Sequence, residues 1–158
     1  MRAEAFMQNP LVAIAAPTHP LARAKRIQPQ QLAKETFLLR EQGSGTRGVV
    51  ERFFASNHLP LPTHMEMDTN EAIKQSVQAG MGIGIISRHG IELELETKRL
   101  VVLDVDRFHI VRHWYIVHRK DKRLSTAAQE FEQFLLQESQ HMMARAATSG
   151  TTDKQKKI

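Results

Sequence analysis

The chain has 158 residues, 41% apolar and 25% charged, which suits one ordinary globular domain or two small lobes with a sizeable core. It has no cysteine, which excludes disulfides, thiolate metal sites and a cysteine nucleophile, and no apolar run approaches a membrane span. The net charge of +5 invites a nucleic-acid reading, but Arg145, Lys154, Lys156 and Lys157 against Asp153 place +3 of it in residues 144–158, leaving +2 for the body. No zinc-finger spacing, aromatic-rich RNA-binding motif or helix-turn-helix pattern is present. The opening Met1-Arg-Ala-Glu-Ala-Phe is not a secretory signal, so a cytoplasmic location is expected.

Leu11 to Ala16, a continuous apolar run ending at Pro17, reads as a strand buried on both faces. Pro20 and Pro29 punctuate a basic loop before a short helix around Gln30 to Lys34. Thr36 to Arg40 reads as a second strand. It feeds a turn containing Gly43, Gly45 and Gly48 and then a helix, Val49 to about Asn57, with Val49, Val50, Phe53 and Phe54 on one face.

Such a turn can hold an anion. Glycines permit positive φ and turn backbone N–H groups inward, and the following helix adds its first-turn donors and the positive end of its dipole. Ser44 and Thr46 add hydroxyls, and Arg40 and Arg47 add charge, so the ligand class is a small carboxylate or phosphate. The same glycines fit G-x-G-x-x-G, with Asp68 about twenty residues on, as in a dinucleotide fingerprint. Here Arg40, Glu41 and Gln42 separate the strand from the first glycine. Three readings stand on the residues: an anion-binding turn, a structural turn, and a nucleotide-dependent enzyme using Gly43 to Gly48 for a dinucleotide.

His64 to Asp68 alternates as a strand. Asp68 or Thr69 then caps a helix in which Ile73 and Val77 point inward, and Gly80 to Ser87 forms the third strand of a parallel βαβαβ layer. Ligands of such sheets bind beyond the carboxyl ends of the strands. A polar helical stretch, His89 to Glu96, precedes strands at Leu100 to Val105 and Val111 to His118. A last helix follows Leu124, with Thr126 and Gln129 at capping-box spacing and a stripe of Ala127, Phe131, Phe134 and Leu135.

On a strand His109 and His113 share a face that His118 does not, and no acidic residue lies among them, so no metal site is read. Ser44 is not in a G-x-S-x-G elbow, so no catalytic residue is assigned. Trp114 and Tyr115 alternate, one packing inward and the other belonging to a cleft wall or partner surface. Arg40 suits an effector contact or a surface ion pair.

Four segments, in order and spacing, resemble the effector-binding part of LysR-type transcriptional regulators over Pro10 to Gln137. They are Pro10-Leu-Val-Ala-Ile-Ala-Ala-Pro-Thr-His-Pro-Leu-Ala22; Phe37-Leu-Leu-Arg-Glu-Gln-Gly-Ser-Gly-Thr-Arg47; Asn70-Glu-Ala-Ile-Lys-Gln-Ser-Val-Gln-Ala-Gly-Met-Gly-Ile-Gly84; and Arg112-His-Trp-Tyr-Ile-Val117 leading into Leu124-Ser-Thr-Ala-Ala-Gln-Glu-Phe131. Glu71-Ala-Ile-Lys-Gln75 and Leu95 to Val105 look most like the regulators of RuBisCO operons. The resemblance implies an α/β, periplasmic-binding-protein type II-like lobe, βαβαβ with a mixed sheet, incomplete as it stands. Residues 1–20 would be a crossing strand and remnant of a first lobe, 21–108 the second effector-binding lobe, 109–141 a return strand and terminal helix, and 142–158 a disordered tail.

It further implies a non-enzymatic sensor without cofactor or metal that binds a small phosphorylated or carboxylated metabolite in an interlobe cleft and regulates carbon-fixation genes. Arg40, Ser44, Gly45, Thr46, Arg47, Thr69 and Asn70 are the expected effector-binding residues. A homodimer is expected, with DNA contacted only through a domain absent from this chain and no membrane partner.

Overall fold

A computed structural model describes residues 1–149. Two compact units are present, Pro10–Val111 and a smaller one made of Met1–Asn9 with the described residues from Arg112 to Ser149. In chain order the elements are β1 (Arg2–Ala15), a 3-10 turn (Pro20–Arg23), α1 (Pro29–Leu32), β2 (Phe37–Arg40), α2 (Gly45–Ser56), β3 (His64–Met67), α3 (Asn70–Gln78), β4 (Ile83–Ser87), α4 (Glu92–Glu96), β5 (Val101–Val102), β6 (Ile110–His118) and α5 (Thr126–Ser149).

The larger unit is built on strands in the order β3-β2-β4-β1-β5. β2 pairs in parallel with β3, Phe37 opposite His64 and Arg40 opposite Met67, and in parallel with β4, Phe37 opposite Ile83. β1 returns antiparallel to β4 and β5, which makes the sheet mixed. Side chains alternate across a strand, so β2 supplies both faces. Phe37 and Leu39 join Val49, Val50, Phe53 and Phe54 of α2 in one buried cluster, and Leu38 joins Ile73 and Val77 of α3 in the other. A sheet covered on both sides explains why its strands read as unbroken apolar runs. α3 also sits close to β4: a Cβ on Gly84 would lie 2.8 Å from Ile73 Cγ2 and 3.1 Å from Val77 Cγ2.

The parallel layer is the one expected, with shifted boundaries. The unit runs wider than residues 21–108 because Leu11 to Ile14 pair with β4 inside its sheet. The third parallel strand starts at Ile83, not Gly80. Gly80, at φ +79°, turns the chain out of α3, and the ladder begins only where Ile83 N donates to Thr36 O at 2.9 Å. β5 keeps two of the six residues expected, because beyond Leu103 the chain leaves β1 and Val105 bridges to Ile27.

Lys74 ties α3 to α4, its Nζ lying 2.8 Å from Glu94 Oε1 and 2.9 Å from Glu71 Oε2. The Lys74 and Glu94 side chains are only 15% and 13% exposed, so this bond is screened less than a surface pair. The hydrogen bond from Lys74 holds the Glu94 carboxyl below its ordinary range, and the bonds to Glu94 and Glu71 raise Lys74.

In the smaller unit β6 pairs with β1 and is followed by α5. The cap is Ser125, one residue before the expected Thr126: its Oγ accepts from Ala128 N at 3.3 Å and its carbonyl from Gln129 N. α5 runs to Ser149, past residue 142 where a disordered tail was expected to begin. Met142 to Ala147 holds good helix formers, and no helix breaker precedes Gly150. The rest of the expected tail, 150–158, lies outside the described residues. The α5 stripe stays open, with Phe131 and Phe134 60% and 56% exposed. Trp114 and Tyr115 are both exposed, Trp114 stacking on Phe6 with ring centroids 6.4 Å apart.

A depressed carboxyl contributes stability that is present above its unfolded pKa and disappears as pH falls through its folded pKa. Glu94→Gln should therefore cost about 1.5–3 kcal/mol at neutral pH, and the difference from the parent should close as the pH drops through and below the ordinary glutamate range. Urea melts from neutral pH into acid measure it.

Candidate functional site

The carboxyl ends of β2 and β3 open onto the amino termini of α2 and α3. α2 begins at Gly45, four residues before the expected Val49, so Gly45, Thr46, Arg47 and Gly48 belong to the helix and not to a glycine loop. Of the three glycines only Gly43 has positive φ, +88°. The turn expected to hold an anion is therefore a one-glycine turn delivering a helix end. Ser44 N donates to Glu41 O at 3.1 Å, Ser44 takes an extended backbone at the N-cap, and Gly48 N donates to Ser44 O. The Ser44 side chain makes no capping bond, and the first-turn N–H groups of Gly45, Thr46 and Arg47 have no intrahelical acceptor.

On the neighbouring turn, Thr69 caps α3, its Oγ1 accepting from Ala72 N at 3.0 Å. The sequence left Asp68 and Thr69 open as caps. A hydroxyl that accepts one bond still has its proton to donate, so Thr69 caps the helix and offers a donor at once. Arg40 follows Leu38 onto the α3 face, where its Nη1 donates to Asn70 Oδ1 at 3.1 Å. With Oδ1 accepting, the Asn70 amide nitrogen keeps its donor capacity.

Both arginines are matched by carboxylates. Arg40 makes a forked pair with Glu41, Nε to Oε2 at 2.6 Å and Nη2 to Oε1 at 2.8 Å. That hydrogen bond, helped by the charges of Glu41 and Asp68 and opposed by burial, raises the Arg40 guanidinium; the same bond leads the lowering of Glu41. Arg40 is therefore an ion pair that also holds Asn70. Arg47 reaches the opposite face of the sheet. Its Nε donates to Glu51 Oε1 at 2.9 Å, its Nη1 to Glu66 Oε2 at 2.8 Å and to the Arg40 carbonyl at 3.2 Å, and its Nη2 lies 3.2 Å from His64 Nε2. His64 Nδ1 lies 2.9 Å from the Pro62 carbonyl, so Nδ1 carries the proton and Nε2 accepts from Arg47.

Arg40, Ser44, Gly45, Thr46, Thr69 and Asn70 thus share one edge, while the Arg47 guanidinium is turned away and only 7% exposed. The acidic partners Glu41, Glu51 and Glu66 were not read from the sequence. The i,i+4 spacing of Arg47 and Glu51 was the one local signal; Glu66 comes from the strand pairing that sets it opposite Leu39. Among the described residues no group of three or more His, Cys, Asp or Glu is placed to hold a metal ion.

The LysR substrate binding domain model matches residues 1–140. A RuBisCO operon transcriptional regulator of Allochromatium vinosum is 52% identical over 145 residues, 92% of this chain and 48% of that protein. The HTH-type transcriptional activator CmpR of Synechocystis is 47% identical over 130 residues, 82% of this chain and 43% of that protein. The chain spans about half the length of the curated relatives it matches. Among solved structures, the Synechocystis CcmR regulatory domain in complex with 2-PG superimposes with a TM-score of 0.82 at 38% identity, covering 89% of this chain and 68% of that one. The effector-binding domain of QuiR in complex with shikimate shares the fold, with a TM-score of 0.75 at 23% identity over 89% of this chain and 66% of that one. The fold is thus a mixed-sheet α/β lobe of the periplasmic-binding-protein type II-like kind.

Replacing Thr69 by Ala should cost about 1 kcal/mol of stability through the lost cap, measurable in a urea melt.

Proposed function

The chain belongs to the LysR substrate-binding domain family, and on that premise we propose that it is the effector-sensing part of a transcriptional regulator of carbon-fixation genes, binding a small anionic metabolite at the α2 and α3 termini. It performs no catalysis in this reading. Its role is cytoplasmic, and DNA is contacted by regions that its longer relatives carry beyond the part matched here. One observation carries the ligand class: neutral donors from Ser44, Gly45, Thr46, Thr69 and Asn70 gather where two helix dipoles end, while both nearby arginines are already paired with carboxylates. Such a site recognises an anion by oriented N–H and O–H groups and remains reversible. The likeness to a regulatory domain solved in complex with 2-PG supports the same class.

Calorimetric titration with 2-PG tests the site. Thr46→Ala should weaken binding by about 1–3 kcal/mol through one lost charge-assisted bond, with the melting curve of the free protein little changed. Unaltered affinity would remove the α2 turn from the site.

The homodimer belongs to the same proposal. In the smaller unit Trp114, Tyr115, Val117, Phe131 and Phe134 are exposed large apolar side chains, and exposed apolar surface of this kind favours association. The chain should therefore self-associate at micromolar concentration in sedimentation velocity, and Phe131→Glu with Phe134→Glu should reduce that association. A compact monomer with no dye-accessible apolar surface would contradict it.

A further inference from the structure

We propose that Arg47 is the positioning residue of this site: a pin that fixes the first turn of α2 to the ends of β2 and β3 and leaves anion contact to Ser44, Gly45 and Thr46. The proposal rests on the anion-sensing reading above. Arg47 has the one charged side chain near the turn that is more than nine-tenths buried, and its guanidinium donates to four groups from three elements: Glu51 of α2, the Arg40 carbonyl of β2, and Glu66 and His64 of β3. An incoming anion could engage it only by displacing Glu51, Glu66 or that carbonyl. Two carboxylates already neutralise it, so it adds little field at the helix end.

Its position explains what it does. Arg40 is the last residue of β2, and Arg47 lies in the first turn of α2, so the bond from Nη1 to the Arg40 carbonyl closes the Glu41–Thr46 turn from outside. Inside the same turn Ser44 N donates to Glu41 O. The directions of the Gly45 and Thr46 N–H groups follow from how that turn is held. His64 and Glu66 are two apart on a strand, hence on one face, and they lie 3.2 and 2.8 Å from the guanidinium. A planar fork of five donors can serve all four acceptors, whereas a lysine ammonium cannot. α2 keeps Val49, Val50, Phe53 and Phe54 in the core without the pin, so its removal should loosen the turn and not unfold the helix.

The test uses the whole chain with 2-PG and inorganic phosphate as probes, in calorimetry, and amide hydrogen exchange without ligand. Glu66→Ala gives opposite signs. If Arg47 were a ligand, removing a competing carboxylate would tighten anion binding; if it is a pin, binding weakens at least about three-fold. Exchange of the Gly48 and Val49 amides then rises about ten-fold, the signature of local opening. Arg47→Lys keeps the charge, and it should lose as much affinity as Arg47→Gln. Tighter or unchanged binding in Glu66→Ala, or Arg47→Lys retaining parent affinity, overturns the proposal, as does unchanged exchange in Glu66→Ala and Arg47→Gln. If the parent chain binds neither probe, the anion-sensing reading fails while exchange alone still decides the pin. Should Arg47→Gln not fold, Glu66→Ala and Arg47→Lys carry the test.

Discussion

The alternation of side chains along the four residues of β2 is the constraint from which the larger unit is organised. Phe37 and Leu39 must be covered from one side and Leu38 from the other, so α2 and α3 cover opposite faces of the strand. The same alternation sends Arg40 to the α3 face, where it meets Asn70, and leaves the α2 face to Arg47. Parallel pairing with β3 and β4 brings the carboxyl ends of the strands to one edge, and there the two helices start. The donors at that edge are a consequence of how the core is divided.

Electrostatics at the edge are more balanced than its arginines suggest. Arg40 is forked onto Glu41, and Arg47 is bonded to Glu51 and Glu66, so the formal charges largely cancel within a few ångströms. What remains are the dipoles of two helices and the hydroxyl and amide groups around them. Dipoles fixed by a folded backbone need little reorganisation when an anion arrives, and they attract it less tightly than a bare arginine would.

The resemblance and the parallel layer were legible because they depend on local pattern: apolar runs, helical stripes, and turn residues between them. The inward positions Val49, Val50, Phe53, Phe54, Ile73 and Val77 follow from spacing alone and are all buried. The element ends were less legible. Glycines in G-x-G-x-x-G look like a loop by composition, yet Gly45 and Gly48 are helical once Ser44 takes the N-cap, because the conformational permissiveness of glycine includes the helix. The last helix was cut short for the opposite reason: a charged, polar carboxyl-terminal sequence concealed residues of good helix propensity.

The sequence by itself determined the order of elements, the two buried faces and the edge at which strands end and helices begin, since periodicity and strand-helix alternation carry that information residue by residue. Only the tertiary structure decided which groups each arginine is bonded to. Arg40 and Arg47 look equivalent in a linear reading, seven positions apart around one turn. Their partners Asn70, Glu66 and His64 lie roughly twenty to thirty residues on, brought near by the pairing of β2 with β3, and a hydrogen bond depends on distance and direction that no local pattern encodes.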